Sequence, residues 1–390
     1  MKTSRASVFL GSGQAMQVCD LPVPSLAVGE ALVRVTMCML CASDVHTYFG
    51  RRTSPCPTVL GHEAVGEIAS IGEGAVDHAG APLAMGERVT WSVAAHCGLC
   101  FFCKHNLPQK CERLFKYGHE RLRPGRLLVG ALGEYCHLVT GTTIVKVPPT
   151  IPDDIAGPAN CAAATAASAV RLSRMKPGEV VLVQGAGMLG LMACAMASAG
   201  GAREVVVVDP DATRLERAMA FGATRVLLAG PDVAPLAQQI GQWTGGRGAD
   251  AALEMSGDPS AAELGINLLR VGGRYVLVGA VYPARPMRLA GETIVRQMLH
   301  VRGLHNYAPD DLVRAVRFLA DHHHRYAFGE LVDRRFALDE VSAAFEHAAQ
   351  SGAVRVAVEP GRLAGAPPRV PLARLLPEMA LPSPTEASLP

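Results

Sequence analysis

Val180-Val181-Leu182-Val183-Gln184 runs directly into Gly185-Ala186-Gly187-Met188-Leu189-Gly190, and this junction decides the fold. An unbroken apolar run ending at a glycine suits a strand buried on both faces, as in a parallel sheet. The glycines spell G-x-G-x-x-G, and Leu189 to Ala199 is helical in composition. A second apolar run, Glu204 to Val208, ends at Asp209, nineteen residues after Gly190. Strand, glycine turn, helix, strand and terminal acid make up the context a dinucleotide site requires. Gly185, Gly187 and Gly190, with Met188 and Leu189 between them, let backbone N–H groups approach a pyrophosphate at the helix N-terminus. Asp209 is placed to bind both hydroxyls of an adenosine ribose and to repel a 2′-phosphate, so NAD is expected over NADP. Arg214 lies close enough to blur that preference. The bland alternative is a glycine-rich turn with no ligand.

Outward from this turn, the strand–helix rhythm continues through a helix from Thr213 to Phe221, capped by Gly222, and strands at Ala251–Met255 and Tyr275–Val278. The fold class is therefore α/β, with a doubly wound parallel sheet over residues 161–305. Upstream, residues 1–90 read as short strands such as Glu30–Met37, broken by Gly and Pro in an all-β, barrel-like pattern. A cysteine- and base-rich lobe occupies about 95–126, and Glu134–Val139 is a further strand. Together, 1–160 form the first domain. Two helices (Asp310–Asp321 and Leu338–Gln350) and a strand (Val354–Val358) read as a return to that domain over 306–360. Residues 361–390, rich in Pro, Ala and Leu without a period, read as a loosely held tail.

The bulk numbers exclude several classes. The 390 residues suffice for two cores, and a net charge of +2 argues for neither nucleic acid nor membrane surface. Aromatics at 5% are too sparse for a base-stacking platform. The first ten residues lack an apolar stretch of signal-peptide length, and no apolar run spans a bilayer, so a cytoplasmic protein is expected. Eleven cysteines, unevenly clustered, point to metal and a reducing compartment rather than disulfides.

Cys97-x-x-Cys100-x-x-Cys103 and Cys111 place four thiols within fifteen residues. Such spacing turns successive sulfurs toward one tetrahedral centre with no position left for water, which makes a structural zinc. Iron–sulfur and free thiols are the alternatives. Cys41 and His62 lie twenty-one residues apart, the latter within Gly61-His62-Glu63. Thiolate and imidazole are ligands that zinc prefers, and a catalytic site needs three with a fourth position open. The remaining cysteines (Cys19, Cys38, Cys56, Cys136, Cys194) read as small core residues, and His322-His323-His324 as a solvated helix end.

With these features in order, the chain resembles the zinc-dependent medium-chain alcohol dehydrogenase family from about residue 5 to 359. Gly61-His62-Glu63-x-x-Gly66-x5-Gly72-x-x-Ala75 fits the family's zinc signature, and the four clustered cysteines fit its structural-zinc spacing. The resemblance implies a GroES-like β-barrel catalytic domain beside a Rossmann domain, and two zinc ions per chain. It implies Cys161 as third catalytic ligand, Glu63 as the acid beside the zinc, Asp44 as partner of His62, and Ser43 and His46 as a proton relay. Gly185, Gly187, Gly190, Asp209 and Arg214 match its cofactor contacts, and Arg355 a pyrophosphate-binding arginine. Homodimers or homotetramers joined through Rossmann strand edges are also implied.

A narrower likeness joins Trp91-Ser92-Val93, Leu107-Pro108-Gln109-Lys110-Cys111 and Lys116-Tyr117-Gly118-His119-Glu120 to the subgroup associated with phosphonate catabolism. Arg51, Arg52, Arg113, Lys116 and His119 flank the metal motifs, and a phosphonate needs cationic partners. These charges read equally as solvated surface or an oligomer contact. The implied activity is hydride transfer between an alcohol and NAD. The alternatives are an aldehyde reductase working the same site in reverse and a non-catalytic nucleotide-binding protein on this fold.

Overall fold

A computed structural model describes residues 2–365 and 370–371. The described residues divide into two compact units, one of 2–98, 112–157, 332–365 and 370–371, the other of 99–111 and 158–331. Six strands of the second unit pair in parallel in the order Arg225–Leu228, Glu204–Asp209, Val180–Gln184, Ala249–Glu254, Leu269–Leu277, His300–Gly303. In chain order this is 3-2-1-4-5-6, the doubly wound arrangement whose strand order reverses beside the first strand. That first strand is the apolar run before the glycine turn, and all five of its residues are buried. Full burial on both faces explains why it shows no alternation. Each Val or Leu so buried contributes roughly 1.5–3 kcal/mol.

Helix Met188–Ala199 is apolar on every side because it packs on this sheet and, on its other face, against helix Ala162–Ser173. The latter, eight of whose twelve residues are buried, carries no amphipathic period that sequence reading can detect. Five alanines in its first six residues favour helix and let backbones approach closely. Gly222 does cap the next helix, with φ +89°.

In the first unit, a seven-stranded sheet centres on Ala31–Met39. This strand pairs antiparallel with Glu63–Ile71, Tyr135–Leu138 and Arg355–Glu359. A three-stranded sheet of Gln17–Pro22, Thr3–Phe9 and Thr58–Val59 accompanies it. The core takes consecutive residues of the central strand, such as Ala31, Leu32 and Val33, with Trp91, Tyr117, Leu60, Leu128 and Leu132 as large buried side chains.

Three expectations change. Residues 306–331 belong to the second unit, because helix Pro309–His322 packs on Ala162–Ser173 and Arg171 forks onto buried Asp311 at 2.7 and 2.8 Å. The return to the first unit begins at the strand Val332–Ala337, which the sequence reading missed. Residues 99–111 of the cysteine lobe group with the second unit. The tail expectation falls mostly outside the described residues, yet Leu363 and Val370 pack on the first unit's core and Asp339 accepts from the Ala364 and Gly365 N–H groups. His323 is buried rather than solvated, its Nδ1 donating to the Leu319 carbonyl at 3.1 Å. Among the described residues, no helix is long and apolar enough to cross a membrane.

Candidate functional site

Helix Ala42–Tyr48 starts where Cys41 leaves the central strand, and Asp44 sits in its first turn. One Asp44 oxygen accepts the Cys41 backbone N–H at 3.1 Å, which caps the helix. The other lies 3.2 Å from His62 Nδ1. With Nδ1–H donated to a carboxylate, the neutral ring keeps its lone pair on Nε2, the nitrogen a metal would take. Ser43 Oγ is 3.4 Å from that same Nε2. Burial opposes a charge on His62, but Asp44, helped by Cys41, raises its pKa to about 10. A metal cation must displace that proton.

His62 reaches this place through a tight backbone. Gly61 adopts φ +89°, and a Cβ there would lie 2.7 Å from the Cys38 sulfur. A Cβ on Gly66 would lie 2.3 Å from the Arg34 carbonyl oxygen across the sheet. The glycine spacing of the zinc signature is thus a packing requirement. Cys161 arrives by chain connection: helix Asp153–Ala156 packs on the strands that carry Met39 and Glu63, and one 3-10 turn then leads to it. Sγ of Cys41, a ring nitrogen of His62 and Sγ of Cys161 all lie within 4.8 Å of one another. Two thiolates and an imidazole fit zinc with one position left open.

Glu63 is fully buried, and burial pushes its carboxyl pKa up while Arg355 pulls against it. Arg355, expected at a cofactor pyrophosphate, instead forks onto Glu63 at 2.8 and 3.2 Å and donates to the Val354 carbonyl. The reason is topological, since Arg355 begins a strand of the first unit's own sheet. His46 lies one helical turn after Ser43. Burial first, then Arg51 and Arg52, lower its pKa against an opposing pull from Cys41, so it is a neutral base near pH 7.

The proposed cationic set divides. Arg51 and Arg113 are exposed, and Lys116 is half-buried on a short strand paired with Ala94–Ala95. His119 is buried, and burial, with His62, Lys116 and Arg52 nearby, pushes its pKa far down. It is therefore neutral, which corrects its expected role as a cation.

In the cysteine lobe, Cys100 precedes helix Phe101–Lys104 and Cys111 follows the 3-10 turn Pro108–Lys110. Cys100 Sγ lies 3.5 Å from Cys103 Sγ and 3.8 Å from Cys111 Sγ, and all four sulfurs, Cys97 included, lie within 4.8 Å of one another. A zinc tetrahedron with bonds of about 2.3 Å has edges of about 3.8 Å, so the four thiols fit that ion. Among the described residues no cysteine is in a disulfide. Cys103→Ser is expected to lower zinc content by about one per chain and to lower Tm, at ~2–4 °C per kcal/mol lost. Unchanged zinc content and an unchanged melting curve would remove the metal from this lobe.

At the glycine turn, Gly185 takes φ +92° against Ser256, and a Cβ on Gly190 would lie 1.8 Å from the Gly185 oxygen. A Cβ on Gly187, by contrast, would meet nothing within 4 Å. Two glycines are thus needed by the protein, and the third keeps open space at the N-terminus of helix Met188–Ala199, where a pyrophosphate fits. Asp209 is buried at the end of its strand, its two oxygens accepting the Ala186 and Asp211 N–H groups at 2.7 and 2.9 Å. Arg214 leans toward Asp211, 3.7 Å away, which caps helix Ala212–Met219.

Two family models match: the alcohol dehydrogenase GroES-like domain over residues 27–149 and the zinc-binding dehydrogenase over 189–321. An L-threonine 3-dehydrogenase of Anaeromyxobacter dehalogenans is 32% identical over 335 residues, covering 84% of this chain and 90% of that one. The chain belongs to the zinc-binding, medium-chain alcohol dehydrogenase family. The 5-exo-hydroxycamphor dehydrogenase of Pseudomonas putida is similar at 29% identity over 352 residues, covering 89% and 96% of the two chains. The crystal structure of an alcohol dehydrogenase from Thermotoga maritima superposes with TM-score 0.86 at 28% identity, over 92% of this chain and all of that one.

In this dehydrogenase, sequence reading missed two pairings between residues it had named, and one buried acid. Arg355 grips Glu63, and Arg52 meets His119. Glu254 is fully buried, and its Oε1 accepts from the Ser256 N–H, the Ser256 hydroxyl and the Gly257 N–H, fixing the turn against which Gly185 rests. An acid inside the apolar run Ala251–Met255 was the available signal.

Proposed function

We propose that this chain is a zinc-dependent alcohol dehydrogenase that moves hydride between an alcohol and NAD, with zinc held by Cys41, His62 and Cys161. The observation that carries the reading is the oriented His62, whose Nε2 is aimed by Asp44 into a three-ligand cluster. Zinc held by that cluster would supply the Lewis acidity that makes an alcohol proton labile near neutral pH, and a nicotinamide cofactor would supply the hydride acceptor. Asp44 holds the ring of His62 in the ligating tautomer. Ser43, whose Oγ lies beside that Nε2, accepts the alcohol proton. His46 is uncharged near pH 7 and receives the proton at its ring on the way to solvent. Arg355 balances the buried Glu63 charge next to His62. The lobe cysteines hold a second, structural zinc.

Asp209 at the strand end supports NAD over NADP, because a 2′-phosphate would meet its carboxylate. The substrate in this reading is an alcohol bearing an anionic group, and the sequence around the cysteine lobe favours a hydroxyalkylphosphonate. The working form is a cytoplasmic homodimer or homotetramer. The test is reduction of NAD⁺ and NADP⁺ by the zinc-loaded protein with 2-hydroxyethylphosphonate, L-threonine and propan-1-ol. NAD⁺ is expected to be favoured at least ~10-fold in kcat/KM, and Asp209→Ser to narrow that ratio. A chain that reduces neither cofactor with any of the three is not the enzyme described.

A further inference from the structure

We propose that Arg52 is the cation that anchors an anionic group of the substrate, and that His119 is the positioning residue that holds its guanidinium in place. This rests on the dehydrogenase reading above and narrows its candidate charges to one. The Arg52 N–H donates to the His46 carbonyl at 3.1 Å, which ties the residue to the helix that carries Ser43 and His46. Its Nη1 lies 3.3 Å from His119 Nε2. A guanidinium can only donate, so His119 accepts through Nε2 and carries no proton there. The His119 ring centroid is 5.3 Å from that of His62. Gly118 presses this segment inward: at φ +74° it backs onto Gly61, where a Cβ would lie 2.9 Å from the Gly61 oxygen. Arg52 is therefore held one side chain away from a metal ligand.

The identity of its partner is what matters chemically. Arg5, Arg88, Arg171, Arg274 and Arg355 each pair with a carboxylate. Among the described residues, no carboxylate pairs with half-buried Arg52. An imidazole that accepts a hydrogen bond orients the guanidinium without cancelling its charge, whereas a carboxylate would do both. Four of the five N–H donors remain for a planar or tetrahedral anion. Arg51 and Arg113 are exposed and have lower claim to the role. The ligand class is a short hydroxylated chain ending in a carboxylate or a phosphonate.

The experiment uses the zinc-loaded full chain and three probes: 2-hydroxyethylphosphonate, 3-hydroxypropanoate and propan-1-ol. Calorimetry measures binding of the two anions, and NAD⁺ reduction gives kcat/KM for all three. Arg52→Gln is expected to weaken anion binding about 10- to 100-fold and to lower the anionic-to-neutral kcat/KM ratio similarly, chiefly through KM. Arg52→Lys keeps the charge without the fork and is expected to fall between. His119→Leu is expected to lower the ratio roughly tenfold, and His119→Gln, whose amide oxygen still accepts, to restore most of it. Stronger binding of one anion over the other identifies the terminal group. Wild-type affinity for both anions in Arg52→Gln and Arg52→Lys overturns the anchor, and equal ratios in His119→Leu and His119→Gln overturn the positioning role. Arg52-dependent anion binding in a protein that reduces no cofactor would keep the anchor and overturn the dehydrogenase reading.

Discussion

His62→Ala is expected to purify folded, with one zinc fewer per chain, and with kcat/KM lowered by about 10³-fold or more. Among the described residues the cluster offers three ligand side chains within reach of one another, Cys41, His62 and Cys161, so removing any one leaves two. Two ligands and solvent do not hold zinc against buffer. The Lewis acidity then lost amounts to several kcal/mol, at ~1.36 kcal/mol per decade of rate. Cys41→Ala should behave alike. Asp44→Asn makes the useful contrast, because it leaves all three ligands and weakens only the group that aims His62 Nε2. It should cost about 10- to 100-fold in metal affinity, recovered in part by excess zinc. Metal analysis alongside steady-state kinetics checks all three variants. Full turnover in zinc-depleted His62→Ala would sink the metal assignment. The Cys103→Ser variant provides a separate control, since its loss of zinc belongs to the lobe.

The second large effect distinguishes two glycines three residues apart. Gly190→Ala is expected to destabilise the protein by ~4 kcal/mol or more, because its methyl would stand 1.8 Å from a backbone oxygen that cannot rotate away. Gly187→Ala should keep the wild-type melting temperature within a few degrees. Gly187 has φ −75° and ψ −173°, extended values that any L-residue adopts, and its Cβ meets nothing within 4 Å. Yet it should raise the dissociation constant for NAD by ~10- to 100-fold, the equivalent of ~1–3 kcal/mol of steric cost. Thermal melts and cofactor titration read the two effects independently. A Gly187→Ala protein that binds NAD as tightly as wild type would take the pyrophosphate out of this turn.

The doubly wound unit was legible because its signals are local. A strand buried on both faces must be apolar throughout, and a turn that passes within contact of its own carbonyl must be glycine. Val180 to Gly190 states both conditions in eleven consecutive residues. The cysteine lobe was legible for the same reason, since all its sulfurs come from one short segment. Helix Ala162–Ser173 was not legible, because a helix buried on most sides has no polar face to set a period. The strand Val332–Ala337 was hidden by Asp333, Arg334 and Arg335, which face solvent at a sheet edge.

The sequence by itself therefore determined the sheet order's starting strand, the glycine turn, the four-sulfur lobe and the family. These depend on backbone sterics and on ligands close together along the chain. Only the tertiary structure decided that Arg355 answers Glu63 across 292 residues of chain, and that His119 is a neutral partner of Arg52 rather than a second cation. Charge and burial are set by what surrounds a side chain in space, and no local pattern of residues records those neighbours.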